Sequence, residues 1–437
     1  MAIFSRRDIQ RMIFGLSDFL PRGKLGGIVD RLNLQSVQAL DAEWELAILF
    51  ALRGSGCIKY EPNLGGPSKI DILFRDNQDT YSEFLADVTC VSEEGLNKQN
   101  PSDFLQVEFI RLMRALGHSG NGCHLQIGGE NKGVYPDQWV RLKLPGNKDI
   151  TAIFEKELPT FQSEIASNPA IKRTLPIKTD RMDVLITYDP RSWAFGWGHA
   201  SYDVPYSLTR NPVRNALKRK IGQLERSGYS GVKGIFLCDG GCSVLKRTTQ
   251  SISGFSLTAI LKDFMREHTA ISFVITLLSE RRSSTYQLTG TLTVNPEAKH
   301  KPKEPLLDIL REIPKELPVP VSDSKNARNW LGRGMDEGKS FFGGLRMDSQ
   351  TVRISSRTLH ELLAGRIDQR RFLEGHGFVP SEGQSSASNP FATKLDQGRL
   401  ISEVTVEKME NHDDDWITIH FGEEDAAISK FRKPGSA

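Results

Sequence analysis

Two aspartates interrupt apolar, strand-length runs, and any fold for this chain must accommodate them. In KIDILF, Asp71 lies between Ile70 and Ile72; in EFLADVTCV, Asp87 lies between Ala86 and Val88. Side chains alternate between the faces of a strand, so Ile70, Ile72 and Phe74 share one face while Asp71 and Leu73 take the other. By the same rule Leu85, Asp87, Thr89 and Val91 oppose Phe84, Ala86, Val88 and Cys90. A buried carboxylate is costly unless it is paired or bound to a cation. On neighbouring strands the two would repel, and a divalent metal is the simplest way to keep both ionised. A solvent-facing surface or a salt bridge is the plainer alternative for either residue alone.

The surrounding pattern is α/β. DAEWELAILFALRGSG reads as a buried helix, apolar nearly all round, opened by acidic residues and closed by Gly54. CIKYEPN, KIDILF and EFLADVTCV follow as three strands separated by turn residues. NPVRNALKRKIGQLERSGY is a second helix, with Asn211 as cap and Pro212 in its first turn. GVKGIFLC is a strand, LTAILKDFMREH a helix and AISFVITLL a strand. The core order is helix, three strands, helix, strand, with an insertion over about 92–208 that holds a helix at PSDFLQVEFIRLMRAL and a strand at MDVLITYD.

At 437 residues the chain exceeds a usual single core. Residues 1–35 form a helical segment and 36–295 the α/β domain. KHKPKEP and PKELPVPVS mark 296–324 as a Pro/Lys-rich linker. Residues 325–437 form a small α+β domain, with helices at SSRTLHELLAGRI and QRRFLEGHGF and strands at LISEVTVEKM and DWITIHFG.

No apolar run spans a bilayer and no signal-peptide pattern opens the chain, so a cytoplasmic protein is expected. A net charge of +3 argues neither for nor against nucleic acid. Five scattered cysteines suit a reducing compartment; Cys238 and Cys242 are too loosely spaced for zinc and read as buried thiols.

Glu43 and Glu45 open the first helix, where acids ordinarily serve the helix dipole. Glu43 is singled out because its helix is buried and directly precedes the acidic strands. On the second helix Val213, Ala216, Leu217, Ile221 and Leu224 form an apolar stripe that contains Lys220 and has Gln223 at its edge. A lysine there either snorkels to the rim or meets a buried acid. The aromatic stretch DPRSWAFGWGHASYD could stack on bases but reads first as a local hydrophobic cluster. SERRSS and KRKIGQLER could contact phosphates or be solvated faces. Gly338-Lys339-Ser340 resembles the close of a nucleotide-binding loop, yet Arg333 stands where its first glycine belongs, which leaves a surface loop.

Together these segments resemble the PD-(D/E)xK nuclease superfamily. EWELAILFALRG is similar to the first helix of archaeal Holliday-junction resolvases, PSKIDILF to the "PD" strand with Pro67 displaced, and FLADVT to the [DE]-x-K strand. Thr89 stands where that strand carries lysine, and Lys220 with Gln223 looks like a lysine migrated to the following helix. The resemblance covers about 36–75, 82–91 and 210–238. It implies a restriction-endonuclease-like core and Mg²⁺- or Mn²⁺-dependent hydrolysis of DNA, with RNA left open as substrate. Asp71, Asp87, Glu43 and the Val88 carbonyl would hold the metal, Lys220 and Gln223 would serve the phosphate or water, and Thr89 could only hydrogen-bond. By fold analogy the setting is a bacterial defence or restriction-type system, with the C-terminal domain contacting a protein partner or substrate. The alternative is a degenerate nuclease fold with a structural or nucleic-acid-binding role, and the position of Lys220 separates the two.

Overall fold

A computed structural model describes residues 3–34, 37–65, 69–77, 82–135, 137–248, 254–282, 285–325, 327, 350–376, 378–379, 389–408 and 414–429. Helices α1 (Arg6–Leu16), α2 (Arg22–Leu32) and α3 (Val37–Leu52) lead into strands β1 (Gly56–Tyr60), β2 (Ile72–Asp76) and β3 (Glu83–Val91). The insertion follows as α4 (Glu94–Gln99), α5 (Ser102–Ala115), β4 (Cys123–Ile127), β5 (Gly129–Lys132), β6 (Trp139–Leu142), α6 (Asn147–Ser167), β7 (Arg173–Lys178), β8 (Asp183–Tyr188) and β9 (Gly196–His199). The chain then returns through α7 (Pro212–Arg226), β10 (Val232–Asp239), α8 (Leu257–Glu267), β11 (Phe273–Arg282), β12 (Thr285–Val294) and α9 (Glu304–Glu316).

The architecture is mixed α/β, built on one six-stranded sheet in the order β1-β2-β3-β10-β11-β12. Strands β1 to β3 form an antiparallel meander, β3, β10 and β11 run parallel, and β12 returns antiparallel. Parallel neighbours need a crossover, which α7 and α8 supply. One face of the sheet packs Phe74, Phe84 and Phe236 against α1, α2, α3 and α9. The other packs Leu85, Ile235 and Leu237 against the apolar stripe of α7 and against α8. As expected, Asn211 caps α7 by accepting the Arg214 N–H at 2.8 Å.

The insertion carries its own core. A four-stranded sheet, β7-β8-β4-β9, buries Leu125, Val184 and Ile186 against Phe109 of α5 and Phe154 of α6. The C-terminal segment forms β13 (Thr351–Ser355), α10 (Ser356–Leu363), α11 (Gln369–Gly375), α12 (Pro390–Asp396), β14 (Ile401–Glu407) and β15 (Trp416–Phe421), in a sheet ordered β13-β15-β14. Its core is built from Val352, Ile354, Ile417, Ile419 and Phe421.

The passage 296–324 differs from the linker expected there. Its centre is α9, whose Leu306, Leu310 and Ile313 are buried on the same core as α3. Prolines at both ends drew attention to extended chain, yet Pro305 suits a first turn and the i, i+4, i+7 apolar spacing makes an amphipathic helix. If α9 belongs to the core, Leu310→Ala lowers unfolding free energy by roughly 2–5 kcal/mol in denaturant titration; a linker residue would cost under about 0.5 kcal/mol.

Candidate functional site

The meander, β10 and α7 bring Asp71, Asp87 and Lys220 together. Asp87 lies within β3 between two paired strands, fully buried, on the face covered by α7. Lys220, in the apolar stripe of α7, extends its ammonium to 2.8 Å from Asp87 Oδ1 and 3.9 Å from Asp71 Oδ2. Asp71 sits immediately before β2 rather than mid-strand. Pairing of β2 with β3 stops at Ile72 and Ala86, so the Val88 N–H lies beyond the last rung. The Asp71 carboxylate replaces the missing partner, accepting that N–H at 2.7 Å through Oδ2, while its own carbonyl accepts the Glu61 N–H at 2.9 Å. The chain thus bends out of the ladder where the acid is needed to cap it.

Burial pushes the Asp71 carboxyl well above the usual carboxylate range, helped by a shared hydrogen bond with Asp87 and repulsion from it. The Lys220 cation and the Val88 N–H oppose that rise. For Lys220, burial works against the charge, but Asp71 and Asp87 outweigh it and the ammonium is held more tightly than an ordinary lysine. Asp87 Oδ2 is buried and takes no hydrogen bond among the described residues. A buried oxygen in that state calls for a partner, which the Asp71 carboxyl proton, a water or a cation can supply.

Thr89 is nearly buried, two residues beyond Asp87 and so on the same face of β3. Gln223 follows Lys220 by one helical turn, and its Oε1 is buried without a partner among the described residues. Glu43 is the correction. Helix α3 begins at Val37, so Glu43 lies in its interior, and its Oε2 accepts the backbone N–H groups of Ile3 at 2.8 Å and Phe4 at 3.3 Å. It ties the backbone at Ile3 and Phe4, just ahead of α1, to α3. Val88 enters the site by donating its N–H to Asp71.

The acids that α3 turns toward the site are Asp41 and Glu45, one turn apart. Both act electrostatically with Lys220. Glu45 is held by Arg31 at 2.8 and 2.6 Å and accepts the Tyr60 hydroxyl at 2.9 Å. Burial raises the Asp41 carboxyl, with Glu45 adding to it against a hydrogen bond from Cys90. The i, i+4 spacing of Asp41 and Glu45 was a readable signal, but a helix buried on every side shows no stripe to say which acids meet the sheet edge.

Other sequence features fall elsewhere. Cys238 and Cys242 are buried free thiols. Of the aromatic stretch, Phe195 stacks on Phe109 at 5.7 Å, Trp197 and Tyr202 pack on the insertion core, and Trp193 is 85% exposed. Arg281 and Arg282 are exposed at the end of β11. Gly338-Lys339-Ser340 and Arg333 lie outside the described residues. No group of three His, Cys, Asp or Glu side chains among the described residues could enclose a metal, and no helix among them is long and apolar enough to cross a membrane. In comparisons with known proteins, no family model, curated protein or solved structure matches the chain.

Because the folded-state pKa of Asp71 is raised, its contribution to stability is complete below the ordinary carboxylate range and is lost as pH rises through the raised value. Asp71→Asn keeps an acceptor for Val88 and removes that titration. Without divalent metal, the wild-type melting temperature should fall relative to Asp71→Asn as pH rises; parallel curves would contradict the assignment. Glu43→Ala should cost roughly 1–3 kcal/mol by stranding two buried N–H groups, with divalent-metal affinity unchanged by calorimetry.

Proposed function

We propose that Asp71, Asp87 and Lys220 form the active centre of a metal-dependent nuclease of PD-(D/E)xK type that hydrolyses phosphodiester bonds of DNA. The observation that carries this reading is the Lys220 ammonium, 2.8 Å from Asp87 and set within the apolar stripe of α7. A snorkelling lysine would have left Asp87 without a cation. The order of α3, the β1–β3 meander, α7 and β10 supports a restriction-endonuclease-like core.

The donor set fits a hard divalent cation: two carboxylates with an unused buried oxygen, where Mg²⁺ ordinarily takes one or two carboxylates and completes its shell with water and phosphate. Asp71 and Asp87 would hold it; Glu43 would not, and Asp41 and Glu45 are the acids on α3 with electrostatic reach to Lys220. When bound, Mg²⁺ or Mn²⁺ supplies Lewis-acid polarisation of phosphate and lowers the pKa of water. The chain's own residues supply the rest. Lys220, held charged by both acids, places a cation against the negative charge that grows on the phosphoryl oxygens. Gln223, one turn away, carries a buried Oε1 with no partner among the described residues, an acceptor that could orient a water. Thr89 lines the same face as a neutral hydrogen-bonding group and leaves the cationic role to α7.

With Mg²⁺ or Mn²⁺ and labelled DNA, Asp71→Ala and Asp87→Ala should abolish cleavage, and Lys220→Met should reduce it roughly 100-fold. Thr89→Lys in the Lys220→Met background should restore part of the rate, since that side chain leaves the same face of β3 as Asp87. Metal-dependent cleavage that survives Asp87→Ala would sink the proposal. DNA binding without any cleavage by the wild type would favour the degenerate, binding-only alternative.

A further inference from the structure

Beyond Lys220 and Gln223, α7 carries cations that the active-centre reading leaves unused. Arg219, Gln223 and Arg226 stand at i, i+4 and i+7 and so line one face of the helix, adjacent to the face that holds Lys220. With Lys218, Gly222 and Glu225 they line a surface depression. Lys218 and Arg219 have no hydrogen-bond or ion-pair partner among the described residues, and Arg226 uses only Nε, donating to the Gly222 carbonyl at 2.8 Å. Three cations thus meet one carboxylate, Glu225, around a hollow. Gly222 keeps the hollow open, since nothing lies within 4 Å of where its Cβ would stand. Gln223, three residues after Lys220, lies on the helix between these cations and the face that holds Lys220.

We propose that this face of α7 is a phosphate track that holds the backbone of the nucleic-acid strand beside the active centre. The inference rests on the nuclease reading for its choice of ligand. Arg219 and Arg226 are separated by about 10 Å of helix axis, a span over which one DNA strand presents about three phosphates. The cations are fixed on a rigid helix shared with Lys220, so backbone contacts made here set the register of the strand at the paired aspartates. Such contacts are blind to sequence, and binding through them weakens with salt.

Binding of a fluorescent duplex by the full chain, measured by anisotropy in EDTA across a salt series, tests the track without requiring turnover. The Lys218→Ala, Arg219→Ala double variant should weaken binding more than tenfold and reduce the slope of log affinity against log salt by about two. Gly222→Glu, which adds a carboxylate to the hollow where a Cβ meets open space, should weaken binding comparably with its melting temperature maintained. Lys156→Ala, an exposed cation on the insertion, serves as a control that leaves binding unchanged. Wild-type affinity and slope in both α7 variants would overturn the track, even if Mg²⁺-dependent cleavage is observed. Equally tight binding of inorganic phosphate or a mononucleotide, with no dependence on oligonucleotide length, would overturn it in favour of a small phosphate ligand. Salt-sensitive binding that needs Lys218 and Arg219, with no cleavage at all, would keep the track and reject the nuclease reading.

Discussion

The Lys220–Asp87 ion pair sets the terms for the packing around it. Asp87 is enclosed between β2 and β10 and beneath α7, where water cannot solvate it, so its charge is bearable only with a cation in contact. That cation comes from a helix whose other inward residues are apolar except Arg214, which is buried against Asp263 and Glu267 of α8. The rotation of α7 about its axis is therefore set by its hydrophobic stripe, by Lys220 on the sheet side and by Arg214 against α8. Removing either partner of such a pair commonly costs about 3–5 kcal/mol, whereas replacing both with apolar groups is often neutral or stabilising. Stability alone gives a chain little reason to keep this arrangement.

Asp71 ties the second acid to the first through the backbone. Its carboxylate completes the ladder at Val88, which fixes it beside Asp87 at the price of a raised pKa. The same end of the meander receives Tyr60 and Glu45, while Arg31 on α2 compensates Glu45. Asp87 on the sheet and Glu45 on α3 are thus matched by cations from two different helices, Lys220 of α7 and Arg31 of α2. Glu43, a buried carboxylate on the same helix, serves the fold instead by holding Ile3 and Phe4.

The connection between β3 and β10 shows how the sheet tolerates a long excursion. These strands lie side by side in parallel register although the insertion separates them in sequence. Because the insertion buries its own apolar residues between α5, α6 and a separate sheet, it draws little on the main core. Helix α9 does the opposite, adding Leu306, Leu310 and Ile313 to the layer formed by α1 to α3.

Local sequence determined much of this. Alternation of apolar residues placed the three strands of the meander, the Asn211–Pro212 pair started α7, and the stripe from Val213 to Leu224 already contained Lys220. Those signals depend on spacing along one element, and spacing is written in the chain. Other outcomes depended on what lies across space. Nothing local distinguished Glu43 from Glu45 on a helix buried all round, since the choice rests on which side meets the sheet edge and which meets the N-terminal backbone. Nor did KIDILF reveal that the ladder ends at Ile72, leaving Val88 for the Asp71 carboxylate to satisfy. The sequence determined that two acids would interrupt apolar strand runs and that a lysine would lie in an apolar helix stripe; the tertiary structure decided that they would be covered and would meet, because a buried charge is stabilised by whichever opposite charge the packing brings within reach.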